Sequence, residues 1–562
     1  MVIITHRTKR TKLSIGLALA VSGCVFGSST YAQQTNAGLN VSGRTSAEVI
    51  VQNVESNSVD STLNTFVVVP EISLSYISRK TAASLVGSLT HLERDSDSSS
   101  QKQDYGEYSF NGGIEVIDNV LNINGTRAVS FQNALQNNFL VNDFVNDQDG
   151  LVKSTSNAIS ANFTIPNGSL IQGNASTTLG NFKTDRSEFI DNGSIDSDIF
   201  TGAFSFGQGS DVSSVIWSLN GNYTESDRNR DDSQSEFTTQ NANATFDFPV
   251  AKHLAIRVNG QNERTRATNL LTEFSAARSF SSYGAGLTYF QSNNRFISVS
   301  YNTTDSDVES QDGQEFVGAE ISWAFSARTS IDASITRRFF GDSVNASIRY
   351  NTKKFRTLFT YTETVTTNSV LLSAPDSAGL FVCPIGSSDF SSCFQPDSLD
   401  FVPDAGQEFA QIDVQNIELD DGVILRQAGD FQIGYSFSRL NLGLFTNYIE
   451  STFLESNEFR KTTTAGLTLS YNLGVYTNLN ARFSYAEIEN SQTDIEDDVT
   501  TFEQSESDNT VVTVDLSHQL TQHMNLTAEY SYRDSTGNAT NSIFGGSFTE
   551  NRFSLGIAYS FN

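Results

Sequence analysis

Proline is scarce in this 562-residue chain, with 7 in all, and methionine and tryptophan number 2 each. Few breakers beside 41 Phe and 18 Tyr exclude an intrinsically disordered chain, which needs the opposite balance. Basic residues are also in short supply: 35 Lys+Arg stand against 64 Asp+Glu, a net charge of −29. That excludes a general nucleic-acid binder, which needs a basic footprint. It leaves anionic head groups, lipopolysaccharide included, as partners only through bridging divalent cations. After the first 32 residues no run of about 18 apolar residues occurs, so no transmembrane helix is expected there.

Residues 1–32 read as a signal peptide. Arg7, Lys9, Arg10 and Lys12 precede an apolar Leu13–Phe26, and Ser29-Thr30-Tyr31-Ala32 forms a cleavage site. Cys24, in "VSGC", offers a lipoprotein box as the competing reading, and loss of Cys24 with the leader is expected. Removing four basic residues from 35 leaves 31 against 64 acidic ones, a net charge of −33. Of 3 cysteines, Cys383 and Cys393 then remain, and in an oxidising compartment they are expected to form one disulfide.

What the chain has in abundance is alternation. In "RFSLGIAYSFN" (552–562), Phe553, Leu555, Ile557, Tyr559 and Phe561 are apolar, and the residues between them are small or polar. "AGLTLSYNL" (465–473), "YGAGLTY" (283–289) and "HLAIRVNG" (253–260) repeat the pattern. A period of two is the strand signal. About 24 such segments occur, each near the ~9–11 residues that a tilted strand needs to cross a bilayer. Tight joins such as "SRK" (78–80), "SAR" (326–328) and "SR" (438–439) alternate with long acidic ones such as "ERDSDSSSQKQD" (93–104). The join "FFGDS" (339–343) is short on the long-loop side. The pattern predicts an all-β fold: one large antiparallel transmembrane barrel over 33–562, with turns in the periplasm and loops outside. Lipid wets the Phe/Leu/Ile/Tyr face and water the Ser/Gly/Asn/Thr face. A soluble solenoid would need a fixed repeat, and none occurs.

The stretch 335–367, "ITRRFFGDSVNASIRYNTKKFRTLFTYTETVTT", resembles the hallmark hairpin region of outer-membrane β-barrels associated with PEP-CTERM/exosortase systems. The resemblance implies the outer membrane of a Gram-negative bacterium and a link to exopolysaccharide. It carries no catalytic residues. Gly556, Tyr559 and Phe561 resemble the C-terminal signal read by outer-membrane assembly machinery, although the chain adds Asn562.

Candidate sites are few. The longest expected extracellular loop, 368–427, carries "CPIGSSDFSSC" (383–393), and its Cys383–Cys393 clip is expected to cover the mouth or fold inward. Asp305, Asp307, Glu309 and Asp312 lack a calcium loop's glycine, since Ser310 occupies that position, and read as a solvated face. His91, His253, His518 and His523 have no serine two positions away, so no nucleophile–base pair shares a strand face. Neither catalysis nor a metal or cofactor is expected. Ser282, Thr468, Ser470, Asn472 and Asn525 should face the lumen, together with Arg257 and Glu263. The expected function is a conduit or anchor for exopolysaccharide export or surface assembly. The alternatives are a general porin or small-solute channel and a non-conducting surface scaffold.

Overall fold

The computed structural model describes residues 38–561 except 57–59, 96–99, 135–143, 146–149, 166–167, 188–193, 213, 231–232, 270–273, 293–294, 327, 353, 374–376, 385–406, 414–421, 455–457, 497–498 and 538–546. The signal peptide and Cys24 lie outside the described residues.

Strands β1 (Gly38–Ser56), β2 (Asp60–Ile77), β3 (Thr81–Asp95), β4 (Ser100–Ile117), β5 (Leu121–Asn133) and β6 (Leu151–Ile165) come first. Next are β7 (Ile171–Thr184), β8 (Asp196–Gln208), β9 (Ile216–Arg230), β10 (Ser233–Ala251), β11 (Leu254–Asn269) and β12 (Phe274–Ser292). Then follow β13 (Arg295–Ser306), β14 (Glu315–Ser326), β15 (Thr329–Arg338), β16 (Gly341–Asn351) and β17 (Phe355–Thr367). A short helix α1 (Asn368–Ser373) and a separate hairpin, β18 (Ser377–Pro384) with β19 (Gln407–Asp413), interrupt the series. It resumes with β20 (Val423–Ser436), β21 (Leu440–Phe453), β22 (Phe459–Asn472) and β23 (Thr477–Glu496). The last strands are β24 (Val499–Thr521), β25 (Met524–Gly537) and β26 (Phe548–Phe561).

Each wall strand pairs antiparallel with its neighbours in sequence, β17 passes directly to β20, and β26 returns to β1. The 24-stranded sheet therefore closes on itself. Closure satisfies the backbone without water, because each unpaired N–H or C=O would cost several kcal/mol in hydrocarbon. The seam runs from Gly43↔Phe561 to Ser56↔Phe548, so the first and last strands begin and end at the short-turn rim.

Alternation sorts the side chains as the two solvents demand. On β26, Phe553, Leu555, Ile557 and Tyr559 are exposed on the outside, while Ser554 and Ala558 point inward and are buried. Leu287, Val299, Val317 and Leu467 are likewise exposed outward. Near the short-turn rim Tyr289 stacks on Trp323 with centroids 6.5 Å apart, an aromatic girdle at the membrane interface.

The wall is split between β16 and β17. Their pairing ends at Ala346↔Tyr361, whereas β17 stays paired with β20 up to Thr367↔Val423. The free part of this ribbon leans inward until Cα atoms of β17 and β10 come within 8 Å. Beyond it, the Thr367 hydroxyl accepts from the Val370 N–H at 3.2 Å and caps α1. That helix rests on the opposite inner wall. Val370 and Leu372 pack on Ala134, Val152, Phe182, Ile195 and Ile199, and the Ser156 hydroxyl donates to the Ser373 carbonyl at 3.2 Å. The expected loop 368–427 thus begins as an internal strut, and its far end is wall already at Val423.

Two further apolar clusters line the extracellular half. Phe237, Ala267 and Phe280 meet Phe339, Val365 and Val423, so the short Phe339–Phe340 join tucks inward. Val145 packs on Ile50, Val67 and Leu92, and Phe144 lies 4.7 Å from the ring of Tyr105. Sequence alternation assigned the interior to polar residues. At this end, chain segments folding inward give apolar inner residues something to bury against.

Candidate functional site

The inner face of β10–β14 at the periplasmic end concentrates polar chemistry. Period-two geometry points Asp247, Arg257, Thr288, Ser298 and Glu320 inward, one from each of five adjacent strands. Arg257 donates through Nε and Nη2 to the Asp247 carboxylate, at 2.9 and 2.8 Å. Its Nη1 reaches Ser298 Oγ at 2.6 Å and the Glu320 carboxylate. Thr288 Oγ1 donates to Asp247 at 2.7 Å. The side chains of Arg257 and Asp247 are 7% and 6% exposed, so nearly every donor and acceptor must find a protein partner, and they do. A forked guanidinium suits this use, because its fixed donors engage two carboxylates and a hydroxyl together. Arg257 also lies 5.5 Å from the ring of Phe296. The group borders a recess of about 530 Å³ that runs along the wall past Trp217, Gln172 and Asn174.

Above it the inner wall is uncharged and rich in amides. Ser205 donates to Asn220 at 2.6 Å, Asn220 to Asn243 at 2.9 Å, and Asn259 to Asn302 at 2.7 Å. Ser218 and Thr245 pair at 2.6 Å. Asn220, Asn243, Asn259, Asn302, Ser218 and Thr245, with Phe316, line a second recess of about 260 Å³, which Arg257 and Glu320 border as an ion pair. The amides and hydroxyls of this surface offer donors and acceptors to a hydrated polar solute.

Higher still, Glu263 is fully buried and receives both Nε, at 2.9 Å, and Nη2 of Arg338. Arg338 also donates to the Glu363 carbonyl at 3.0 Å and lies 4.8 Å from the Phe340 ring. The Glu363 carboxylate in turn accepts from the Val344 N–H, at 3.2 Å, beside the split. The "RRFFGDS" and "TYTETVTT" stretches therefore brace the strut.

Sequence reasoning placed Ser282, Thr468, Ser470, Asn472 and Asn525 on the lumen face, and the strand registers put them there. It singled out Arg257 and Glu263 and missed their partners Asp247, Glu320 and Arg338. Cys383 belongs to β18 by its backbone, and Cys393 lies outside the described residues, as does their expected disulfide. Gly556, Tyr559 and Phe561 all sit on β26, Gly556 on the inner face and the two aromatics exposed on the lipid face. Asp307 and Asp312 accept from the backbone N–H groups of Ser279 and Ser306, at 2.9 and 3.2 Å, and hold their own loop. His253 and His523 bond to the carbonyls of Phe290 and Ser560 at 3.0 and 3.1 Å, His518 to Thr477 at 2.8 Å, and His91 to Asp104 at 2.6 Å.

No protein-family model matches the chain, and no curated protein matches it. Among solved structures, it is similar to the FrpB iron transporter of Neisseria meningitidis (F3-3 variant). That match has 10% identity, covers 92% of this chain and 81% of FrpB, and has a TM-score of 0.42. The siderophore receptor PirA of Acinetobacter baumannii gives 9% identity, 92% and 80% coverage, and a TM-score of 0.42. The copper transporter OprC gives 10% identity, 93% and 80% coverage, and a TM-score of 0.37.

A ring-closed antiparallel sheet of 24 strands with an apolar exterior and a mostly polar inner wall defines the class. The chain is an outer-membrane β-barrel protein.

Proposed function

We propose that this barrel is a gated conduit for exopolysaccharide export or surface assembly, acting without catalysis, in a PEP-CTERM-type system. The uncharged amide and hydroxyl wall built by Asn220, Asn243, Asn259, Asn302, Ser218 and Thr245 carries the reading. Sugars are neutral, hydrated and dense in hydroxyls, and this wall presents matching donors and acceptors, with Phe316 as an apolar face. The strut formed by upper β17 and α1 supplies the gate, since it crosses the interior where a polymer would pass. The resemblance of residues 335–367 to the exosortase-associated barrels agrees with this role.

The test pairs bilayer recording with a deletion strain. Purified protein lacking 368–422 is expected to conduct more than the full chain, and neutral oligosaccharides should block its current more than acidic ones of equal length. Cells without the protein should lose surface polysaccharide and keep normal nutrient uptake. Equal block by both sugars with slowed uptake would mean a general porin. No conductance in either form would mean a surface scaffold.

A further inference from the structure

The split in the wall leaves two strand edges side by side without a ladder. Above Ala346↔Tyr361, β16 stays paired with β15 as far as Gly341, and β17 stays paired with β20 as far as Thr367. Among the described residues no rung joins 341–345 to 362–367. An edge of this kind is a template for another strand.

The register below the split fixes which residues would meet above it. In the β16–β17 hairpin the Thr352 N–H donates to the Phe355 carbonyl at 2.7 Å, so Thr352↔Phe355 is a hydrogen-bonded pair. Such pairs recur at every second step, at Tyr350↔Thr357, Ile348↔Phe359 and Ala346↔Tyr361. The next is Val344↔Glu363, in which the Val344 N–H would donate to the Glu363 carbonyl. Both groups are already taken. The Val344 N–H donates instead to the Glu363 carboxylate at 3.2 Å, and the Glu363 carbonyl accepts from Arg338 Nη1 at 3.0 Å. Two side chains thus stand in for the missing rung. Beside it, Ser343 would face Thr364 in a non-hydrogen-bonded pair, where side chains lie closest. Ser343 Oγ is buried and has no hydrogen-bond partner among the described residues. A threonine hydroxyl brought opposite would supply one.

We propose that the upper halves of β16 and β17 are a latched zipper. They close in the register already set below, forming Val344↔Glu363, Ser343↔Thr364 and Asp342↔Val365, and Arg338 with the Glu363 carboxylate keeps them apart. The strand that fills the β16 edge is the chain's own β17, because the alternating bonds and the unanswered Ser343 hydroxyl both fit it in that register. Closure draws β17, and α1 with it, away from the facing inner wall. Control of passage by this seam rests on the strut being the gate, whereas the zipper is a property of the sheet alone.

Full-length protein carrying Cys383→Ser/Cys393→Ser is given Ser343→Cys/Thr364→Cys, refolded into vesicles and oxidised. This pair should cross-link. The offset pair Ser343→Cys/Thr366→Cys should not, since strands closed in register leave it too long a span for a disulfide. Adding Glu363→Ala frees the Val344 N–H, leaves Arg338 bound to the buried Glu263, and should speed cross-linking about tenfold. The cross-linked barrel should conduct more in bilayers than its reduced form. Cross-linking with unchanged conductance leaves the zipper standing and overturns the strut as gate. No cross-link with or without Glu363→Ala, or equal yields from the two pairs, overturns the zipper. If cysteines at the buried Ser343 prevent folding, spin labels on Asp342→Cys/Thr362→Cys, both exposed positions, take their place. Glu363→Ala should then enlarge the shorter of two distance populations, and a single unshifted population overturns the proposal.

Discussion

The ring of Phe561 lies across Gly43 on the lipid face of the seam, where a Cβ on Gly43 would overlap it. The pair sits at the point where the last strand meets the first, so the phenyl ring covers backbone that glycine leaves bare. Phe561→Ala is expected to cost up to about 1 kcal/mol, the scale of one cross-strand pair, and to slow barrel closure. Gly43→Ala should cost about 0.5–1.5 kcal/mol, since the terminal ring can turn aside off its preferred rotamer. Heat-modifiable gel mobility during refolding into vesicles reads both effects, and unchanged kinetics for Phe561→Ala would refute the first.

Arg257 and Asp247 hold each other in the periplasmic recess. Arg257→Met leaves the Asp247 carboxylate buried without its cation and should cost about 3–5 kcal/mol. Adding Asp247→Asn should return much of that loss. Urea unfolding followed by the fluorescence of Trp217 and Trp323 measures both, Trp217 lying on the recess itself.

Arg338 ties the strut to Glu263 on the facing inner wall. Arg338→Gln is expected to raise the frequency of conducting events in bilayers, whereas Arg337→Gln, whose Nε reaches Gln311 at 2.8 Å and Asp342 at 3.8 Å and not the strut, should not. Identical traces for the two variants would separate the strut from gating.

The two faces of β22 should respond differently to the same side chain. Leu467→Arg puts a cation on the lipid face and should cost about 2–4 kcal/mol near the bilayer midplane. Ser470→Arg on the lumen face should cost far less and should instead change ion selectivity, measurable as a shift in reversal potential.

Lys80 and Asp118 pair at 2.6 Å between two periplasmic turns. A hydrogen bond from Lys80, then its charge, holds the Asp118 carboxyl below its usual range, and the same contact raises Lys80. The carboxylate contribution is present above the ordinary Asp value and lost as pH falls through the depressed one. In Lys80→Gln the Asp118 carbon-13 titration should move up towards the ordinary midpoint, and an unmoved curve would deny the pairing.

The strand number and both faces were legible because lipid and lumen impose their demand on every residue, as on Leu467 and Thr468. The Arg257 group was legible only in part. Asp247 is ten positions away, but Ser298 and Glu320 reach it through a register that no single strand encodes. The strut was not legible, since Val370 and Leu372 show no period that would tell an internal helix from a loop. Phe237 and Phe280 are apolar residues on the inner face, and only the inward fold of Phe339 and Val365, which no strand period encodes, buries them.

The split between β16 and β17 has a mechanical consequence. The crossing element is not a detachable cork, because β17 and β20 belong to the cylinder throughout their lower halves. Its departure from the wall is set where Tyr361 leaves Ala346, so the crossing part is anchored by the staves themselves. On its other side the ribbon rejoins the ring through β20, which is paired with β17 from Val423 onwards, so one displaced stave cannot leave without the other.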